Sequence, residues 1–223
     1  MPVDPRHDPM RWRPNPARPP EPWQPEPWQP GPVPPTPGDG GPGMPGWLEE
    51  RLFDQRIVML RGTLTPSTAS GIAAALLTLD GGAHTGDPAP VQLHIASPGG
   101  DLVAAHTIID VIDAMTGQVH AVVTSEAGGA VLAVLAAADR RAAYRHARFT
   151  LAEPRAAGLT GTADEVAAAA GQHLRELEEV VLRLVEATGQ TRSRIEDDLA
   201  AGRRLSAAEA KDYGLIDRII GTD

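Results

Sequence analysis

From Trp47 onward the apolar residues fall into short runs, and the period of each run predicts its element. RIVMLRG (Arg56 to Gly62) is a brief apolar run closed by glycine, the pattern of a strand. TPSTASGIAAALLTLD begins with Thr65 and Pro66 and continues in Ala and Leu, which predicts a helix with proline in its first turn. After a loop containing Gly and Pro (Gly81 to Pro90), VQLHIA alternates apolar and polar positions like a second strand. It runs directly into SPGG (Ser97 to Gly100). The next stretch, DLVAAHTIIDVIDAM, places Leu102, Ala105, Ile109 and Ile112 on one face of a helix. VHAVVT (Val119 to Thr124) reads as a third strand, followed by an Ala-rich helix.

Alternation of strand and helix predicts an α/β fold with parallel pairing. Beyond the strand RFTL, a long helix is predicted over Ala163 to Thr188. Val166, Ala170, Leu174, Leu177, Val181 and Leu184 line one side of it, a stripe that suits either a core or a subunit contact. In LSAAEAKDYGLID, Ser206 and Glu209 have the spacing of a capping box, and Gly214 stands where a left-handed C-terminal cap is wanted before the strand LIDRII.

Ahead of this globular part the composition changes. Residues 1–46 are dominated by proline and contain the tandem repeat EPWQPEPWQP (Glu21 to Pro30), followed by GDGGPGMPG. Proline removes backbone donors and fixes φ, so a disordered, extended tail is predicted over 1–46 and a folded domain over 47–223. Trp23 and Trp28, repeated on a stiff scaffold, suit an aromatic-lined groove, although such composition also serves as a plain solvated spacer.

The 223 residues carry a net charge of -9, which argues against a nucleic-acid partner, since phosphate contacts require clustered Lys and Arg. With no cysteine in the chain, disulfides and thiolate chemistry are excluded. No apolar run approaches the ~18 residues of a membrane span, and no signal-peptide pattern opens the chain, so a cytoplasmic protein without membrane contact is expected. His94, His120 and His173 are scattered without the i, i+4 spacing of a zinc helix, so no metal is expected. SPGGD lacks the Lys and Ser/Thr of a phosphate-binding loop, so no cofactor is expected and ATP would belong to a partner.

The order of RIVMLRG, LHIASPGG, VHAVVTSEAGGAVLAVLAAADRRAAY and EATGQTRSRIEDDLAAGRRLSAAEAKDYGLIDRII resembles the proteolytic subunits of the Clp protease (ClpP), a family of serine peptidases. The similarity runs from about Trp47 to Ile220. It implies a crotonase-like spiral of βα units, assembled into rings that stack through the long helix, with the active sites enclosed. It also implies ATP-driven unfoldases as partners, and a homo- or hetero-oligomer, the latter with a catalytically competent paralogue. Relatives of this kind carry a short N-terminal hairpin at the axial pore, where this chain has its Pro/Trp tail; the tail is expected to replace or obstruct that gate.

A serine peptidase needs a hydroxyl, an imidazole, a carboxylate and two backbone N–H groups for the oxyanion. By the resemblance, the nucleophile of the pattern G-x-A-A-S-M-G falls on Gly129. The base of M-I-H-Q-P falls on Ala152, since TLAEP takes its place. His146 does not substitute, because it precedes the strand RFTL. The carboxylate position, a few residues before LSAAEA, falls on Gly202; Asp197 and Asp198 lie one turn early. All three catalytic positions are thus read as vacant, while Gly99 and Gly100 of SPGG and the N–H of Ala130 retain the oxyanion cradle.

Ser125, four residues before Gly129, is the weak alternative nucleophile, with His106 or Glu126 as its base; otherwise it is a strand-end or helix-capping hydroxyl. Three functions follow from these residues. The first is a peptidase-inactive structural or regulatory subunit of a Clp-type ring. The second is a divergent serine endopeptidase using Ser125. The third is a crotonase-like protein that holds an acyl thioester by its carbonyl at Gly99 and Ala130.

Overall fold

The computed structural model describes residues 45–81, 89–154 and 161–221. Residues 1–44, which hold most of the proline-rich stretch, and residues 82–88, 155–160 and 222–223 lie outside the described residues. Five parallel strands form the main layer in the order β1 (Ile57–Arg61), β2 (Val91–Ser97), β3 (Val119–Gly128), β4 (Arg140–Tyr144) and β7 (Arg218–Ile220). Parallel neighbours need crossover segments. Helices α2 (Pro66–Gly81), α3 (Leu102–Ala114) and α4 (Val131–Ala137) supply the first three. A smaller layer begins where the far end of β3 pairs with β5 (Arg148–Leu151), which in turn pairs antiparallel with β6 (Arg203–Ser206).

Period-two burial along β2 explains why this sheet has two unlike faces. Val91, Leu93, Ile95 and Ser97 are buried, whereas Gln92 is exposed and His94 and Ala96 are intermediate. The buried side joins Val58, Leu60, Val119, Ala121 and Val123 to Ile72 and Leu76 of α2 and to Ile108 and Ile109 of α3 in one continuous core. Leu102, Ala105, Ile109 and Ile112 are all buried, as their spacing predicted.

The remaining helices are α1 (Gly46–Asp54), α5 (Ala163–Thr188), α6 (Arg192–Ala201) and α7 (Ala207–Tyr213). α1 begins at Gly46, directly after Pro45, which serves as its N-cap. Strands β4 and β6 and helix α6 were likewise not read from the sequence. LIDRII contributes only Arg218–Ile220 as strand.

The stripe on α5 splits. Val181 and Leu184 are buried, while Leu174 is 63% exposed and Ala170 is exposed too. Only the C-terminal half of this helix therefore joins the core. α5 starts on a capping box between Thr162 and Glu165, and α7 on the expected one between Ser206 and Glu209, with Gly214 left-handed at φ 93°. No helix among the described residues is long and apolar enough to cross a membrane.

Asp80, near the end of α2, clamps the turn before β3. Its carboxylate accepts hydrogen bonds from the N–H of Gly117 (2.9 Å) and the N–H of Thr116 (3.2 Å) and from the Thr116 hydroxyl. These bonds, first that from Gly117, hold its pKa below the usual aspartate value despite an opposing effect of burial. A folded-state pKa below the unfolded one adds stability above the unfolded value, which is lost as pH falls through the folded one. Asp80→Asn is therefore expected to lower urea stability at pH 7, with the gap to the native chain narrowing as pH falls below the ordinary aspartate pKa of about 3.9.

Candidate functional site

The loop SPGG is fastened from two sides. The buried Ser97 hydroxyl accepts from the N–H of Gly99 (3.3 Å) and donates to its carbonyl (3.2 Å). Leu64, following β1, donates its N–H to the Gly99 carbonyl, and its own carbonyl accepts from the N–H of Asp101, both at 2.9 Å. Asp101 then caps α3 by accepting from the N–H of Ala104 at 2.8 Å.

Against this loop lies the end of β3. An added Cβ at Gly128 would stand 2.4 Å from the Pro98 carbonyl oxygen, and one at Gly100 2.2 Å from that of Leu64. Only glycine permits two backbones to approach so closely. Gly129 has φ +50°, and a Cβ built there would point at the Gly99 Cα (3.7 Å) and the Ala152 carbonyl oxygen (3.8 Å).

The strand pairing brings the three sequence-predicted positions into one neighbourhood. Gly129 donates its N–H to the carbonyl of Thr150 (3.2 Å), two residues before Ala152. Leu151 of β5 pairs with Arg203 of β6, so Ala152 and Gly202 continue the two sides of the same ladder. Gly202 is the left-handed C-cap of α6 at φ 65°. Gly129 adjoins the SPGG turn, Ala152 lies against Gly129, and Gly202 follows across the β5–β6 ladder; none of them carries a hydroxyl, an imidazole or a carboxylate.

Two backbone donors of this region are left unused. The N–H groups of Gly100 and Ala130 have no acceptor among the described residues. That of Gly99, expected to share this role, is already engaged by Ser97. The donor pair favoured by the geometry is therefore Gly100 with Ala130, the N-cap of α4.

Ser125 stands apart from this cradle. Ile95 pairs with Val123 and Ser97 with Ala127, so β3 makes a four-residue step beside a two-residue step of β2. Ser125 lies exposed on that excursion, within β3, and is neither a strand end nor a helix cap. Its hydroxyl has no hydrogen-bond partner among the described residues. His106 instead faces α5, with Nε2 3.6 Å from the Glu179 carboxylate, and Glu126 pairs in register with Arg148 of β5. His146 is exposed in the turn between β4 and β5.

Asp198, the nearest acid in sequence to Gly202, is also occupied. It accepts from the Tyr213 hydroxyl (2.7 Å) and from Arg203 (3.1 Å to each oxygen). Burial first, and then this carboxylate, raise the Tyr213 pKa well above that of a free phenol. Asp197 is exposed.

Comparison with known proteins decides the family. The family model of the Clp protease matches residues 47–223. The chain belongs to the Clp protease family. Among its relatives, proteolytic subunit 2 of the ATP-dependent Clp protease of Corynebacterium glutamicum is 32% identical over 183 residues, 81% of this chain and 89% of that protein. Proteolytic subunit 1 of Frankia casuarinae is 35% identical over 183 residues, covering 81% and 84%. Proteolytic subunit 1 of Shouchella clausii is 33% identical over 172 residues, covering 76% and 87%. In Clp protease terms, the SPGG turn and the junction of β3 with α4 form the candidate active-site region of this chain. Ser97 and Leu64 are supporting residues that sequence reasoning did not single out, although Ser97 is the first letter of SPGG. Asp198, noted there only for lying one turn before Gly202, is paired with Tyr213 and Arg203.

Proposed function

We propose that this chain is a non-hydrolytic subunit of a Clp-type proteolytic assembly, structural or regulatory in role, which associates with a catalytically competent relative and through it with an ATP-driven unfoldase. The observation that supports this reading is the occurrence of glycine or alanine at positions Gly129, Ala152 and Gly202, the first of which lies against an otherwise well-formed SPGG turn. Attack on a peptide carbonyl needs a nucleophile and a base that takes its proton, and side chains of hydrogen or methyl supply neither. The exposed Leu174 and Leu182 on α5 give the free chain an apolar surface suited to a neighbouring subunit.

A second reading is favoured by the unpartnered N–H groups of Gly100 and Ala130: the cradle holds a carbonyl, such as that of an acyl thioester, without cleaving it. Co-expression with a competent Clp proteolytic subunit, followed by native mass measurement and fluorogenic-peptide hydrolysis, separates these readings. A mixed assembly is expected, with no turnover by the isolated chain. Turnover by the isolated chain that disappears in Ser125→Ala would establish a divergent peptidase instead. Absence of co-assembly together with a thermal shift on adding an acyl-CoA would establish the carbonyl-binding reading.

A further inference from the structure

Side chains paired across parallel strands project from the same face. On the side of the sheet away from the main core, one row reads Gln92, His120, Arg140, and the next reads His94, Val122, Ala142, Arg218. Arg140 and Arg218 are therefore diagonal neighbours on β4 and β7. Long like-charged side chains that are diagonal neighbours on one face lie within reach of each other and repel unless an opposite charge lies between them. Both residues are exposed, and neither side chain makes a hydrogen bond or ion pair among the described residues. Arg141, by contrast, is held by the Asp217 carboxylate (2.8 Å) and the Ala187 carbonyl (2.9 Å).

A cavity of about 360 Å³ opens here, and its polar lining is Gln92, His120, Arg140, Arg141, Asp217 and Arg218. His120 adds an independent sign of a missing ligand: its Nε2 is shielded from solvent yet has no hydrogen-bond partner among the described residues. Buried polar atoms in folded proteins are nearly always partnered. Burial, and then the positive fields of Arg140 and Arg218, lower its pKa, with Asp139 acting in the opposite direction.

We propose that this cavity binds a small ligand through one oxyanion, a phosphate or a carboxylate, clasped between Arg140 and Arg218 with Gln92 and His120 beside them. Guanidinium groups match such anions in geometry and in charge. The ligand also places a negative charge between the two arginines and offers an acceptor to the orphaned imidazole. The volume lies at the lower end of small-molecule sites. The Asp217 carboxylate at the wall repels a second negative group, which favours a compact anion over a polyacidic segment. This site is separate from the SPGG cradle and does not depend on the proposed loss of hydrolysis.

The test is calorimetric titration of the full chain with inorganic phosphate and, separately, with acetate, against chloride at matched ionic strength. Saturable binding of at least one probe is expected, weakened at least tenfold in Arg140→Gln/Arg218→Gln and unchanged in Arg145→Gln, an exposed arginine outside the cavity. Circular dichroism of the double variant confirms that it is folded. Heats no different from chloride, or equal affinity in the double variant, would overturn the proposal. Binding of a hexaglutamate peptide without binding of either small probe would also overturn it, in favour of a protein-docking surface.

Discussion

Gly100→Ala is expected to destabilise the protein by about 3–5 kcal/mol, a large part of the 5–15 kcal/mol that typically separates folded from unfolded chains. The new methyl carbon would lie 2.2 Å from the Leu64 carbonyl oxygen and 2.5 Å from the Leu64 nitrogen, and both are backbone atoms that cannot swing aside. Gly100 also has φ +153°, a conformation that L side chains rarely adopt. Relief of either conflict pulls SPGG away from Leu64 and breaks the bonds at Gly99 and Asp101. In thermal unfolding the midpoint should fall by on the order of 10 °C. Gly71→Ala provides the opposite sign: an added methyl there meets nothing within 4 Å, in the middle of a helix, and should stabilise by about 0.5–1 kcal/mol.

Asp198→Ala is expected to cost about 2–3 kcal/mol. The Asp198 side chain is 15% exposed and ties three elements together: its own helix α6, Arg203 of β6 and Tyr213 of α7. The substitution strands the phenolic hydroxyl of a residue that is itself only 3% exposed. It also leaves the guanidinium groups of Arg194 and Arg203, 5.2 and 5.5 Å from the Tyr213 ring centre, without their counter-charge. Tyr213→Phe removes a single hydrogen bond and keeps the Asp198–Arg203 pair, so a loss of about 1 kcal/mol is expected. Urea denaturation of the two variants checks the order. Equal losses would mean that the pair with Arg203 contributes little.

The same residues show how far the sequence reaches. α3 was legible because its Leu102, Ala105, Ile109 and Ile112 repeat at helical spacing, and α7 because Ser206, Glu209 and Gly214 mark both of its ends. These signals are local. β4 was not legible: in RRAAY the two arginines and the short alanines form no apolar run, and the strand exists because β3 and β7 pair with it on either side. α1 follows directly on proline and buries no residue, so its period was weak. The full apolar stripe of α5 was readable, but not where the core ends along it, since that depends on which elements stand beside each turn. Within the site, the motif order located Gly129, Ala152 and Gly202 separately. Their adjacency depends on the pairing of β3 with β5 and β5 with β6, which no local pattern encodes. The engagement of the Gly99 N–H by Ser97 and the bulged setting of Ser125 are likewise products of tertiary register.

We propose that the Clp protease scaffold of this chain lacks a nucleophile. The most direct test is incubation of the purified full chain with a fluorophosphonate, read by intact mass and peptide mapping, with a competent Clp proteolytic subunit as the positive control. One labelled serine is expected in the control and none in this chain. A stoichiometric adduct on this chain, at Ser125 or at any other serine, would contradict the proposal.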